Sequence, residues 1–243
     1  MASFLQTTLG TAADLLFPRS CVHCAGPVAR GKYQYLCPSC ARELQFCTPP
    51  ACKTCGYPFF GAVIAARECP HCTELDPVFE KGKSLFLAKG PGRSLLHALK
   101  YQQGFYILKD LARMLQENPH FRAFLRGAIL VPVPLHPTKL RDRGFNQSEQ
   151  IARTLLRNSD AQAVELLLER KEFTESQTQL DRKDRMQNVK NAFAISSAAN
   201  LMSHTNYILV DDVFTTGSTL NACARTLRAA GVTHIRAVAI GHG

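Results

Sequence analysis

The chemistry-bearing residues of this chain concentrate in Tyr207–Thr219, which read YILVDDVFTTGST. Four apolar residues run into two adjacent carboxylates, Asp211 and Asp212, and a turn of small hydroxyl residues follows: Thr215, Thr216, Gly217, Ser218 and Thr219. From Leu220 the pattern becomes helical. This is the profile of a buried strand ending at two acids, then a glycine-containing loop at a helix N-terminus. Backbone N–H groups and the helix dipole make such a loop a cradle for phosphate. Acids at the carboxyl end of a strand stand where open α/β sheets bind ligands. Phosphate on the loop and sugar hydroxyls on the carboxylates describe a site for a ribose 5-phosphate. A ligand-free βα turn would use Thr215 or Ser218 only as a helix cap.

The same thirteen residues resemble the phosphoribosyl-pyrophosphate (PRPP) signature of type I phosphoribosyltransferases at every position. The resemblance implies that Asp211 and Asp212 contact the 2- and 3-hydroxyls of the ribose, directly or through water. It implies that residues 215–219 hold the 5-phosphate, with Gly217 allowing close backbone approach. Mg²⁺ is implied with PRPP, because a multiply charged pyrophosphate is matched by a hard, oxygen-loving cation.

A second chemical constellation lies at the other end of the chain. Nine of ten cysteines fall between Cys21 and Cys72, and eight form C-x-x-C pairs: Cys21/Cys24, Cys37/Cys40, Cys52/Cys55 and Cys69/Cys72. Without a secretion signal, such pairs indicate metal rather than disulfides. Two pairs complete a tetrahedral Zn²⁺ site, and a closed all-thiolate site is structural because no position remains open for water. An internal repeat assigns the pairs. CVHCAGP at 21–27 matches CKTCGYP at 52–58, and LCPSC at 36–40 matches ECPHC at 68–72. Each unit therefore holds one pair of each kind, so the first four cysteines share one zinc and the next four another, in the manner of a double zinc ribbon. His23 and His71 lie inside C-x-x-C turns but are not needed as ligands. Cys47 reads as a spare thiol and Cys223 as a core residue on a helix.

These groups need elements to position them. Helical spacing appears at 95–101, 107–115 and 146–156, and again over about 218–230 up to Gly231. Strands are expected at 128–134, 164–170, 192–195, 207–211 and through HIRAVAI near the end. The alternation predicts an α/β fold: a mostly parallel sheet flanked by helices, preceded by a small Cys-rich unit. The expected division is 1–80 for an N-terminal helix and the double zinc ribbon, and 81–243 for the α/β domain. Between strand and helix, VPVPLHPTKLRDRGFNQSEQIA at 131–152 presents Lys139, Arg141 and Arg143, cations suited to pyrophosphate, with Arg143 favoured by its place before a helix start. The polar segment 174–193 offers Gln177, Arg185 and Asn188. Similar enzymes close a loop over PRPP to keep water out.

Composition sets the outer bounds. The chain has 243 residues, 46% apolar and 20% charged, enough to bury a core. No apolar run reaches the roughly 18 residues that span a bilayer. The N-terminal MASFLQTTLGTAADLLFP lacks a basic lead and carries Asp14, so it reads as a short amphipathic helix rather than a signal peptide. The net charge of +10 arises entirely in 81–243, because residues 1–80 hold six Lys/Arg and six Asp/Glu. That suits a polyanion, whether PRPP, nucleic acid or anionic lipid, and charge alone does not choose among them.

Taken together, the cysteine pairs, RGFNQ at 143–147, Q-x-x-L and R-x-x-N near 177–188, and DDVFTTGST at 211–219 resemble the ComF/GntX family. The resemblance spans nearly the whole chain. It implies a type I phosphoribosyltransferase-like sheet behind a double zinc ribbon, and a PRPP-binding protein that supports natural transformation or DNA uptake. Two functions follow as expectations: an enzyme moving phosphoribosyl from PRPP to an unknown acceptor, or a non-catalytic module regulated by PRPP that binds single-stranded DNA or DNA-uptake proteins. The implied location is cytoplasmic, with any inner-membrane association made through partners.

Overall fold

The computed structural model describes residues 19–28, 31–61, 67–101, 104–171 and 192–243. The expected N-terminal helix and the candidates Gln177, Arg185 and Asn188 lie outside the described residues. The centre is a five-stranded sheet: β1 (Lys81–Leu87), β2 (Ile129–Pro132), β3 (Ala163–Val164), β6 (Asn206–Phe214) and β7 (His234–His242). Every pairing in it is parallel, in the order β1-β7-β6-β2-β3. Two short strands, β4 (Leu168–Arg170) and β5 (Phe193–Ile195), form a separate antiparallel pair. The apolar run 164–170 is thus not one strand. Its first residue, Val164, pairs with β2 as part of β3, and Leu168–Arg170 then form β4 beside β5.

Parallel strands are covered on both faces, and the buried residues divide accordingly. Successive side chains of a strand point to opposite faces. On one face Ile208 and Val210 pack with α3 (Gly90–Tyr101), α4 (Ile107–Gln116) and α7 (Gln147–Arg157). On the other, Tyr207 and Leu209 pack with α8 (Ser218–Ala229) and with Leu168 and Phe193 of the small sheet. The remaining helices among the described residues are short: α1 (Pro38–Glu43), α2 (Pro70–Leu75), α5 (Pro119–Leu125) and α6 (Pro137–Arg143).

The two cysteine units divide between these faces. Cys21, Cys37 and Cys40 join the first core and Cys52, Cys55, Cys69 and Cys72 the second. Each repeat is built alike. A C-x-x-C turn is closed by an antiparallel bridge, Ser20–Pro27 in one and Ala51–Pro58 in the other. The second pair of each repeat opens a proline-started helix, α1 or α2. The chain between the repeats runs along the exposed edge of β1. Cys47 N donates to Leu85 O (2.9 Å), Leu87 N donates to Gln45 O (2.8 Å), and Gly82 N donates to Thr54 O. The cysteine-rich segment therefore covers a sheet edge that would otherwise be open to pairing with another chain. Asp110 of α4 fixes the first unit, accepting from Gln34 N (2.7 Å) and Tyr35 N (2.9 Å) with its two oxygens.

Candidate functional site

The chain leaves β2 through α6 and α7 towards β3, and leaves β6 through α8 towards β7, in opposite directions along the sheet. A crevice must open where adjacent strands part in this way, at their carboxyl ends. Asp211 and Asp212 lie there on β6, opposite the start of α7. Asn146 caps α7 by accepting from Ser148 N (3.0 Å), while its side-chain nitrogen donates to Val133 O (3.0 Å) and pins the helix to the end of β2. That cap brings the next two residues to the acids. Gln147 Nε2 donates to Asp212 Oδ2 (3.4 Å) and Ser148 Oγ donates to Asp211 Oδ1 (3.0 Å).

The two acids differ in surroundings. Asp212 is buried and forms an ion pair with Lys100 from the end of α3 (3.0 Å). Asp211, on the opposite face of the strand, is pushed up to about 7 by burial and then by the neighbouring Asp212 charge, against the hydrogen bonds from Asp212 N and Ser148. The site thus holds one charge-compensated carboxylate, Asp212, beside one acid, Asp211, whose value is raised to about 7.

The turn after β6 leads directly into α8. Gly217 is the N-cap of α8 at φ +77°, a left-handed conformation that only glycine adopts without strain. Thr216 Oγ1 and Ser218 Oγ are 2.8 Å apart, Ser218 N donates to Thr216 Oγ1 (3.3 Å), and Thr215 is exposed. The glycine has a further reason. A Cβ there would stand 2.6 Å from Phe214 Cζ and 2.7 Å from Leu75 Cδ2 of α2. Packing against the second cysteine unit, as well as backbone conformation, excludes a side chain at this position.

Of the expected cations, Lys139 and Arg143 line a cleft of about 490 Å³ together with Lys100, Tyr101, Gln147 and Arg170. Arg141 does not, because on α6 it points away from positions 139 and 143, which lie one turn apart on the same face. Arg143 Nη1 donates to Gln147 Oε1 (2.6 Å) and its guanidinium lies over the Tyr101 ring (5.6 Å). A continuous polar chain thus runs Arg143–Gln147–Asp212–Lys100. Lys100, Gln147, Ser148 and Arg170 are site residues that sequence reasoning did not single out. For Gln147 the signal was present, in the RGFNQ stretch leading into the helix.

The cysteines form two clusters, Cys21/Cys24/Cys37/Cys40 and Cys52/Cys55/Cys69/Cys72, each with its sulfurs within 4.8 Å of one another. Tetrahedral zinc with sulfurs at about 2.3 Å places them about 3.8 Å apart. Cys24–Cys37 at 3.7 Å and Cys55–Cys69 at 3.8 Å fit that requirement, and the pairing is the sequential one expected from the repeat. Cys47 and His23 stand outside both clusters; His23 Nδ1 instead lies 3.0 Å from Ser94 Oγ. Cys223 is fully buried on α8, as expected.

A doubly covered parallel sheet with acids and a hydroxyl loop at its switch point, joined to two four-cysteine centres, defines a zinc-ribbon protein of the phosphoribosyltransferase fold. Residues 12–74 match the double zinc ribbon domain and residues 140–241 the phosphoribosyl transferase domain. The chain is 31% identical over 220 residues to competence protein F of Haemophilus influenzae, spanning 89% of this chain and 93% of that protein. It is 30% identical over 217 residues to the DNA utilization protein YhgH of Escherichia coli K12, spanning 88% and 92%. It is 25% identical over 201 residues to competence protein ComFC of Bacillus subtilis, spanning 79% and 77%. The chain belongs to the ComF family.

Proposed function

We propose that this protein binds PRPP with Mg²⁺ at the carboxyl end of β6 and transfers its phosphoribosyl group to an acceptor, in support of DNA uptake or utilisation. The observation that carries this is the pairing of Asp211 and Asp212 with a hydroxyl loop at the N-terminus of α8, in a crevice open at the strand ends. The 5-phosphate rests on the loop N–H groups and hydroxyls of residues 215–219, and the acids take the ribose hydroxyls. In the transfer, the bond between sugar C1 and the pyrophosphate oxygen breaks and a bond from C1 to the acceptor nucleophile forms. Pyrophosphate departs as the leaving group, and a bound Mg²⁺ would supply neutralising charge to it. Arg143 and Lys139, which line the cleft beside Lys100 and Gln147, would supply the positive charge that departing pyrophosphate needs. Gln177, Arg185 and Asn188, outside the described residues, are further candidates to contact the bound ligand. The link to DNA rests on the names of the relatives, two competence proteins and one DNA utilization protein.

A second reading has its own observation. The cleft beside the acids combines Lys100, Lys139 and Arg143 with Tyr101 and Phe145. Exposed Tyr101 and the Phe105–Phe145 pair (4.5 Å between ring centres) offer faces on which bases could stack. In this reading PRPP is a regulatory ligand and the cleft holds single-stranded DNA.

Calorimetric titration of zinc-replete protein with PRPP at millimolar Mg²⁺ tests both. Saturable binding that disappears in the Asp211→Asn/Asp212→Asn variant is expected. Pyrophosphate release stimulated by an acceptor then selects the enzyme. Salt-sensitive DNA binding that survives the double substitution, without release, selects the module.

A further inference from the structure

The two cysteine units repeat one another down to their hydrogen bonds, and they differ at a residue beside one sulfur. In the first C-x-x-C turn Ala25 N donates to Cys21 O (2.9 Å) and Cys21 N donates to Gly26 O (2.8 Å). In the second, Gly56 N donates to Cys52 O (3.0 Å) and Cys52 N donates to Tyr57 O (2.8 Å). Ala25 and Gly56 share the left-handed conformation, at φ +59° and +76°. The turns therefore correspond residue for residue, with Cys24 matching Cys55 and Gly26 matching Tyr57.

Burial differs between the matched positions. Cys55 is 1% exposed and all four cysteines of the second centre are buried, whereas Cys24 is exposed beside three buried partners. Tyr57 packs against the core that contains the second centre. At position 26 a Cβ would stand 3.4 Å from Cys24 Sγ, an ordinary contact distance, so a side chain there would lie against the sulfur that glycine leaves open. The first centre also supports the crevice. Cys21, Cys37 and Cys40 share a core with Leu95, Leu96 and Leu99 of α3, and His23 Nδ1 lies 3.0 Å from Ser94 Oγ on the same helix. Near its end α3 carries Lys100, the ion-pair partner of Asp212 (3.0 Å).

We propose that Cys24 is an oxidation site for peroxides, through which the first centre gives up its zinc and α3 loses support. Zinc-bound cysteines are thiolates, and thiolate character combined with exposure makes a cysteine oxidisable. The Cys24 sulfur gives an electron pair to one oxygen of hydrogen peroxide. The O–O bond breaks, leaving a sulfenic acid on Cys24 and releasing hydroxide. Cys37 Sγ, 3.7 Å away, then attacks the Cys24 sulfur, forming a disulfide and expelling a second hydroxide. Two protons from solvent turn both hydroxides to water, so the peroxide takes up the two electrons that the two thiolates lose. Two thiolates remain, too few for a closed four-sulfur site. The second centre, buried throughout, is protected from the same reaction. This step stands independently of the function proposed above.

The test treats the zinc-loaded full chain with hydrogen peroxide. It follows zinc release to a colorimetric chelator, disulfide-linked peptides by mass spectrometry, and hydrogen exchange of residues 90–101. One zinc ion per chain should leave about 10-fold faster than the other, with Cys24 disulfide-bonded to Cys37. Amides of 90–101 should then exchange about fivefold faster, and a dithiol with added zinc should reverse both changes. Gly26→Tyr, which copies the second repeat into the first, should slow peroxide-driven release about fivefold. Position 26 has no left-handed φ, so its backbone accepts the side chain. Should that variant prove insoluble, the disulfide map of wild type decides. Equal loss of both ions, first disulfides among Cys52, Cys55, Cys69 and Cys72, or a folded Gly26→Tyr as sensitive as wild type would overturn the proposal. Selective zinc loss with unchanged exchange in 90–101 would overturn its second half, the link to α3.

Discussion

Asp211 and Asp212 are neighbours in sequence but face opposite sides of β6, and their partners prepare them differently. Asp212 is held by Lys100 and Gln147, whereas Asp211 has one hydroxyl donor, Ser148, and bears the field of its neighbour. Because its folded-state value is raised to about 7, the folded protein holds a proton on Asp211 between about pH 4 and 7 that the unfolded chain has released. Its contribution to stability is therefore favourable in acid and is lost as pH rises through 7. Asp211→Asn should stabilise the ligand-free protein at pH 8 by about 1 kcal/mol, read as a Tm increase of about 3 °C, while weakening PRPP binding at least tenfold. Wild-type affinity for PRPP and Mg²⁺ should rise between pH 6 and 8 relative to the Asn variant, because the ionised carboxylate is the form that accepts hydroxyl hydrogen bonds. A variant equally stable and equally tight-binding would show that Asp211 has no ligand role. The acids and loop were legible in the sequence because they are contiguous. Lys100 was not, since it reaches Asp212 across more than a hundred residues and reads alone as an ordinary cation at a helix end.

At the scale of elements, strong local periodicity gave reliable expectations and non-local pairing did not. Helices α3, α4, α7 and α8 carry apolar faces at 3.6-residue spacing and were anticipated within a few residues. Strand β1 was missed because KGKSLFL opens on Lys-Gly-Lys, and its burial comes from β7 on one side and the cysteine-rich chain on the other. The run VELLLER was read as one strand because its hydrophobicity is continuous; only the partners, β2 for one end and β5 for the other, break it. Gly217 was expected for close ligand approach, and its φ and its walls of Phe214 and Leu75 add requirements that spacing cannot show. Gly217→Ala should therefore cost about 2–3 kcal/mol in urea denaturation, combining left-handed strain with displacement of two packed side chains, and should abolish PRPP binding. Stability within about 0.5 kcal/mol of wild type would contradict that packing.

For the whole molecule, the cysteine half is not packed as an appendage. Each of the two cores contains cysteines of one centre together with residues of the sheet, and the segment between the centres covers the edge of β1. The repeat announced two sequential zinc sites, but sequence could not show that they would lie on opposite faces of one sheet. Metal analysis should find two zinc ions per chain. Removing both should lower the cooperative thermal transition of the entire protein instead of leaving the α/β portion at its original Tm, as followed by circular dichroism. Two separate transitions, the second unchanged by chelation, would contradict the shared cores. The central claim is that the turn after β6 seats a sugar phosphate while the twin acids hold the sugar, and a crystal structure of the zinc-loaded protein with PRPP and Mg²⁺ tests it most directly. The account predicts the 5-phosphate on the backbone of residues 215–219 and ribose hydroxyls at hydrogen-bonding distance from Asp211 and Asp212, directly or through one water. A saturating soak that left this crevice without ligand, or placed the phosphate elsewhere, would contradict it.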